Sequence, residues 1–336
     1  MNQFETSIRH AEQGRDLDVD TTQQLIEQML QGTGDEESVG RLLLALREKG
    51  EAVSELVGAA SAMRQAMTRI PHSHDVLLDT CGTGGSGSGT FNISTAVAIV
   101  AAAAGVPVAK HGNRKATSHS GSADVLEVLG VKIESDADSV ARRLDNTGIC
   151  FCFAPKLHPA MKHVVGIRRK LAVPTLFNLL GPLCNPAGAT HQLLGTSTDA
   201  AQRKVAAAIG QLETRRSFVL HAEDGQDEVS LDGVTHVIDV TPDRVTEIDW
   251  TPGSFGLFPA GHEALAAQDP KHSAEIISRI LQSEPGPCRD TVLAGAAAAL
   301  LLVDQANDLK QAVAMAATAI DSGAASEKLD SLRRPV

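Results

Sequence analysis

From residue 81 the chain reads Cys81-Gly82-Thr83-Gly84-Gly85-Ser86-Gly87-Ser88-Gly89-Thr90, then Phe91-Asn92-Ile93-Ser94-Thr95. Five glycines within eight residues let the backbone turn sharply and aim successive N–H groups at one anion. The stretch joins an apparent strand to an apparent helix, and a helix starting near Asn92 or Ser94 adds its positive end and hydroxyl donors. This is the chemistry of a phosphate cradle. A mobile Gly/Ser connector is the plainer alternative, but such connectors seldom lie between a buried strand and an alanine-rich helix. Gly82, Gly84 and Gly87 also match G-x-G-x-x-G. A dinucleotide fold, however, wants an acidic residue at the end of the second strand. Here that strand ends in Lys110-His111-Gly112-Asn113-Arg114-Lys115, and no G-K-[ST] marks a P-loop.

The segment 110–122, KHGNRKATSHSGS, carries cations and hydroxyls and again leads into a helix. Two such loops at neighbouring strand ends can hold two separated phosphate groups; a solvated basic loop is the alternative for this segment alone. Asp224-Gly225-Gln226-Asp227-Glu228 places adjacent carboxylates after a strand, which suits a divalent cation that phosphates share, although acidic turns are common. Residues 154–163, APKLHPAMKH, continue to Arg168-Arg169, and a helix beginning at Pro159 carries Arg168 two to three turns on. A guanidinium there can grip a carboxylate through paired hydrogen bonds, or be an ordinary surface charge. Cys150 and Cys152 lie on one face of a strand, where they read as small buried hydrophobes rather than metal ligands.

These residues need a scaffold. Residues 21–30, capped by Asp20 and stopped at Gly32, 37–49 and 52–67 read as amphipathic helices, so a small helical domain is expected first. From His74 short apolar runs (76–78, 106–109, 149–153, 192–195, 217–221 and 237–240) alternate with helical patterns at 93–104, 122–129 and 199–212. That alternation predicts a mostly parallel α/β sheet. Helices return at 273–282, 290–304 and 309–322. The chain of 336 residues has a net charge of −11, which argues against duplex nucleic acid as a partner. With eight Phe, one Trp and no Tyr it also lacks stacking platforms for single strands. The polar N-terminus has no signal-peptide core, and the apolar runs 96–109 and 292–303 fall short of the roughly 20 residues that span a bilayer. Five cysteines, an odd number, point to free thiols in a reducing cytoplasm.

Taken together, DTCGTGGSGSGTFNIST, VAKHGNR, SGSADVLEVLG, FAPKLHPAMKHV, RRKL, TLFNLLGPLCNP and DEVS resemble the anthranilate phosphoribosyltransferases of tryptophan biosynthesis. The resemblance runs from the helical start to near the C-terminus. It implies a nucleoside-phosphorylase-like phosphoribosyltransferase fold: a small helical domain (1–72 with about 159–188) and a larger α/β domain (73–158 and 189–336). It implies a homodimer, and transfer of phosphoribosyl from phosphoribosyl pyrophosphate to the anthranilate amine. Carried over by motif, Gly82, Gly85, Ser86, Thr90, Asn92, Ile93, Ser94 and Thr95 contact phosphoribosyl pyrophosphate. Lys110, His111, Gly112, Asn113, Arg114, Lys115, Ala116, Thr117, Ser118 and Ser122 hold its other side. Gly82, Asn113, His158, Arg168 and Gly181 border anthranilate. Ser94, Asp227 and Glu228 ligate magnesium, two ions per site with Glu228 shared. The resemblance demands no acid–base residue, and His111 and His158 are expected to orient substrate. Ser86 stands where the family has aspartate, and Lys115 where it has a small residue. A pyrimidine nucleoside phosphorylase shares the fold, but its lysine- and serine-based base-recognition signature is not evident here; a nucleic-acid-binding paralogue fits the acidic charge poorly.

Overall fold

The computed structural model describes residues 3–84, 87–115 and 120–335. Four helices come first: Gln3–Glu12, Val19–Gln31, Glu36–Lys49 and Val53–Ala66. The second starts earlier than the pattern suggested, because Asp18 rather than Asp20 is its cap. Asp18 sits in extended backbone and accepts from Thr21 N at 2.7 Å, leaving Asp20 in the first turn beside the positive helix end. Gly32 ends it at φ 72°, a left-handed conformation that favours glycine. Glu55 is buried and accepts from Leu17 N, Ala52 N and Lys49 Nζ, so an interior carboxylate is fully partnered.

Seven strands form one sheet in the order β3-β2-β1-β4-β5-β6-β7. They are β1 (Leu78–Gly82), β2 (Val108–Gly112), β3 (Ile149–Phe153), β4 (His191–Gly195), β5 (Arg216–Ala222), β6 (Thr235–Val240) and β7 (Val245–Trp250). β1 to β5 run parallel, and β6 and β7 add antiparallel pairs at one edge. β1 and β2 begin two residues later than their apolar runs predicted and continue into polar residues. Buried neighbours on both sides supply partners for Asp79, Thr80 and Lys110, so these strands tolerate polarity. β7 was not anticipated: its Val245, Glu247 and Asp249 are exposed, and edge strands carry weak hydrophobic signals. Helices Ala137–Thr147 and Ala324–Arg333 were also missed.

Successive strands β1, β2 and β3 progress to one side, and β4 returns to the other flank of β1. Such a reversal opens a crevice at the carboxyl ends of the flanking strands. Beneath it, helices Ile93–Ala103 and Pro287–Leu302 bury the two long alanine-rich runs, and neither they nor any other described helix is long and apolar enough to cross a membrane. Gly295 permits their contact, since a Cβ there would lie 2.6 Å from Val97 Cγ2. Val164, Leu176, Phe177 and Leu180 join Leu25, Leu42 and Leu56 of the first helices in one apolar cluster that reaches Leu194 and Val219 of the sheet.

Candidate active site

A cleft of about 610 Å³ opens at the reversal point, between the glycine turn after β1, the loop after β2 and the loop after β5. Gly84, Gly87 and Gly89 adopt φ of 70°, 65° and 66°, which is why glycine recurs here. The far half of the turn is pinned: Phe91 N donates to Leu265 O, Ala267 N donates to Gly89 O, and Thr90 bridges Ala266. Asn92 caps helix Ile93–Ala103 at the cleft wall, its backbone N–H donating to Ser273 Oγ at 2.9 Å. Thr95 is buried behind it and lines no part of the cleft, whereas Asn92, Ile93 and Ser94 do.

Two glycines make room for the acidic pair. A Cβ on Gly82 would lie 2.5 Å from Asp227 Oδ2, and one on Gly195 would lie 1.6 Å from Asp227 O. Asp227 Oδ2 also accepts from Gly84 N at 3.2 Å, and Glu228 Oε1 accepts from Ser94 N at 3.0 Å. Burial, reinforced by the Asp227 carboxylate, pushes Glu228 up to about 8. The third member of this group is Lys110, whose ammonium donates to Thr80 O at 2.6 Å and Ser94 Oγ at 3.2 Å. Among the described residues no group of three His, Cys, Asp or Glu could hold a metal. Asp227, Glu228 and the Ser94 hydroxyl are instead a set of hard oxygen donors with two carboxyl groups, which fits a magnesium ion that phosphates and water complete.

In the loop after β2, Arg114 forks onto Glu127 at 2.6 and 2.9 Å and reaches Asp124 at 3.3 Å. Asp124 also accepts from Lys115 N at 2.8 Å, while the Lys115 side chain stands exposed on the cleft lining. Gly121 is required because a Cβ would lie 2.4 Å from Lys115 N. Gly112, Asn113 and Ser122 line the same cavity. Gly85, Ser86, Ala116, Thr117 and Ser118 lie outside the described residues.

A second cavity of about 520 Å³ adjoins the first and shares His111 and Asn113 with it. Its walls include Met63, Pro155, His158, Arg168, Phe177 and Gly181. The His111 and His158 rings lie 5.1 Å apart, and His111 Nδ1 meets Gly181 O at 3.1 Å. Burial lowers His111 to about 3 and His158 to about 4, so both rings stay neutral. His111 Nε2 and both ring nitrogens of His158 have no partner among the described residues. Pro159 opens only a three-residue turn; Arg168 belongs to the following helix, Lys162–Leu171. Its guanidinium lies 5.5 Å from the Phe177 ring centroid and donates to Asn178 Oδ1 at 3.3 Å. No carboxylate among the described residues pairs with it, so a partly buried cation faces an apolar cavity uncompensated. Cys150 and Cys152, with sulfurs 3.9 Å apart, are buried with Leu77, Val140 and Leu157 away from both cavities.

Sequence reasoning missed Gly195, Asn178, Met63 and the Ser197-Thr198 turn. Thr198 caps helix Asp199–Ile209, and both residues line the cleft, giving it a second helix N-terminus. The run Gly-Thr-Ser-Thr-Asp after an apolar strand was the available signal for this cap.

The fold and site define a class. Residues 74–326 match the glycosyl transferase family a/b domain, and residues 6–67 match the helical bundle domain of that family. An anthranilate phosphoribosyltransferase of Rhodopirellula baltica is 67% identical across 98% of this chain and 96% of its own length. Another, from Anaeromyxobacter dehalogenans, is 47% identical across 95% of each. The crystal structure of the Thermus thermophilus enzyme superposes with a TM-score of 0.90 at 38% identity, covering 98% of this chain and 99% of that one. The Saccharomyces cerevisiae enzyme in complex with PRPP and Mg gives 0.84 at 28% identity, over 94% and 91%. The chain belongs to the anthranilate phosphoribosyltransferase family.

Proposed function

We propose that the protein transfers the 5-phosphoribosyl group of phosphoribosyl pyrophosphate to the amine of anthranilate, releasing pyrophosphate, in tryptophan biosynthesis. The observation that carries this reading is the meeting of two unlike cavities at His111 and Asn113. One is lined by glycine N–H groups, hydroxyls and an acidic pair; the other is largely apolar and carries cations, the part-buried Arg168 among them. The first suits a polyphosphorylated sugar, and the second suits a small aromatic acid whose carboxylate Arg168 grips.

In this reading Gly82, Thr90, Asn92, Ser94, Lys110 and the loop after β2 hold the phosphates. Gly85, Ser86, Ala116, Thr117 and Ser118 belong to the same two loops by sequence. Asn113, His158, Arg168, Gly181 and Gly82 border the acceptor. Ser94, Asp227 and Glu228 hold magnesium, with two ions per site; bound there, the metal neutralises charge that builds on departing pyrophosphate. The reaction forms an N–C1 bond, breaks the C1–O bond to pyrophosphate and releases the amine proton. Backbone N–H groups of the glycine turn stabilise the leaving oxygens. The aromatic amine is weakly basic and keeps its lone pair at neutral pH, so positioning supplies most of the acceleration and no strong base is required. The neutral imidazoles of His111 and His158 orient the acceptor.

The units 1–72 with about 159–188, and 73–158 with 189–336, each contribute one side of the acceptor cavity. The protein acts as a cytoplasmic homodimer without nucleic-acid or membrane partners. The test is direct: protein, anthranilate, phosphoribosyl pyrophosphate and magnesium are mixed, and anthranilate fluorescence is followed. Loss that requires all four components is expected, and constant fluorescence across pH and magnesium concentration would overturn the reading.

A further inference from the structure

Neighbouring strands of this sheet keep register over five or six positions, with one exception: β1 and β2 pair only at Leu78 and Val108. Beyond that pair, side chains take the backbone groups that would have continued the ladder. Thr80 O accepts from Lys110 Nζ at 2.6 Å, His111 N donates to Asp79 Oδ1 at 3.0 Å, and Ala109 O accepts from Asn185 Nδ2 at 2.8 Å. In a regular parallel ladder those groups would bond across to the facing strand, at about 4.8 Å spacing. Side-chain partners thus satisfy these three buried backbone groups where the β1–β2 pairing stops.

All three side chains are buried, and Lys110 lies near enough to Asp79 to offset part of the burial that raises its pKa. The break in pairing falls where it has an effect. β1 leads into the glycine turn, and the end of β2 carries His111 and leads into Asn113, where the two cavities meet. Asn185 adds a third element, because its chain segment begins at Gly181, whose carbonyl meets His111 Nδ1. Asp79 and Asn185 line neither cavity.

We propose that Asp79, Lys110 and Asn185 form a wedge that holds β1 and β2 apart and sets the distance between the two substrate cavities. Asp79 and Asn185 are thus positioning residues. The proposal rests on the two-substrate reaction stated above. Reacting atoms held on separate loops are sensitive to spacing, and a 1 Å misplacement costs about a hundredfold in rate.

The experiment measures kcat and both KM values for Asp79→Ala, Asn185→Ala and Asp79→Asn in the full-length protein with saturating magnesium. Both alanine variants should lose about a hundredfold in kcat while each KM stays within about threefold. Asp79→Asn keeps an acceptor for His111 N–H and should recover most of the rate. The double alanine variant should lose little more than the worse single one, as members of one unit do. A folded alanine variant with wild-type kcat, or one whose KM alone rises, would overturn the wedge. Should Asp79→Ala fail to fold, Asn185→Ala decides by the same criteria. Absence of turnover in the wild-type protein would instead defeat the reaction on which the wedge rests, so the two failures are distinct.

Discussion

The cleft at the strand ends is built around a glycine turn with hydroxyl and charged groups, whereas the cavity beside it is lined mostly by larger side chains. Gly82 and Gly195 let the Asp227 loop approach, Gly84, Gly87 and Gly89 supply left-handed backbone, and helix N-termini supply the cleft with oriented dipoles. The neighbouring cavity draws Met63 from helix Val53–Ala66, His158 from the turn after β3, Arg168 from helix Lys162–Leu171, and Phe177 and Gly181 from the short helix Phe177–Leu180 and its end. The difference teaches how each recognises its ligand. A backbone cradle reads charge and shape at many points and tolerates few intrusions, since each N–H is fixed by the fold. A side-chain cavity concentrates its selectivity in a few cations, Arg168 among them, and a set of apolar walls, so single substitutions there should alter affinity rather than the chemical step.

Gly195→Ala is the harshest way to break this contrast. Its Cβ would lie 1.6 Å from Asp227 O, and a backbone atom cannot rotate away, so the acidic loop must move. Turnover should fall at least about a hundredfold through displaced charge stabilisation, with stability reduced by about 1–3 kcal/mol. Anthranilate binding, followed by calorimetry on the folded variant, should change little because the loop does not border the second cavity. Weaker anthranilate binding in that variant would mean that the two regions are not separable in this way.

Arg168→Ala tests the other side. The guanidinium has no carboxylate partner among the described residues, and burial lowers its pKa, so it gains most when an anionic ligand arrives. Losing a charge-assisted, partly buried contact of this kind costs about 1.5–3 kcal/mol, or roughly ten- to a hundredfold in KM for anthranilate. KM for phosphoribosyl pyrophosphate should stay put. Equal changes in both constants would show that Arg168 serves the scaffold and not the acceptor.

The same contrast explains what could be read from the chain beforehand. The glycine turn, Ser94, the loop beginning at Lys110 and the Asp227-Glu228 pair are local runs whose physics is visible within a dozen residues. Arg168 was legible only as one of two alternatives, a carboxylate grip or a surface charge, because an amphipathic helix with basic residues looks alike whether it faces solvent or a cavity; the family resemblance gave it and His158 a place beside the acceptor. Met63 and Asn178 escaped altogether, since their roles depend on packing between segments far apart in sequence. The parallel sheet was legible from alternating apolar runs. Its departure from regularity between β1 and β2 was not, because Asp79 and Asn185 act across a gap that only the folded chain creates.

The boundary between the regions, the His111–His158 pair, offers the mildest test. Burial lowers His158 to about 4 and His111 to about 3, against an ordinary histidine value near 6.5. Between about pH 6.5 and 4 the unfolded chain therefore binds a proton at each position that the folded chain refuses. Stability rises with pH across that window and is complete above it. Acidifying from pH 7 to 5 should cost about 2 kcal/mol for His158 considered alone. Burial pushes Glu228 up to about 8 and raises Asp79, so the absolute slope mixes several groups. The difference between wild type and His158→Gln removes them. Urea midpoints measured at pH 7, 6 and 5 should fall more steeply for wild type, because glutamine carries no proton to gain on unfolding. Parallel slopes would mean that the ring accepts a proton inside the folded cavity, and an anionic acceptor would then meet a cation at His158 as well as at Arg168.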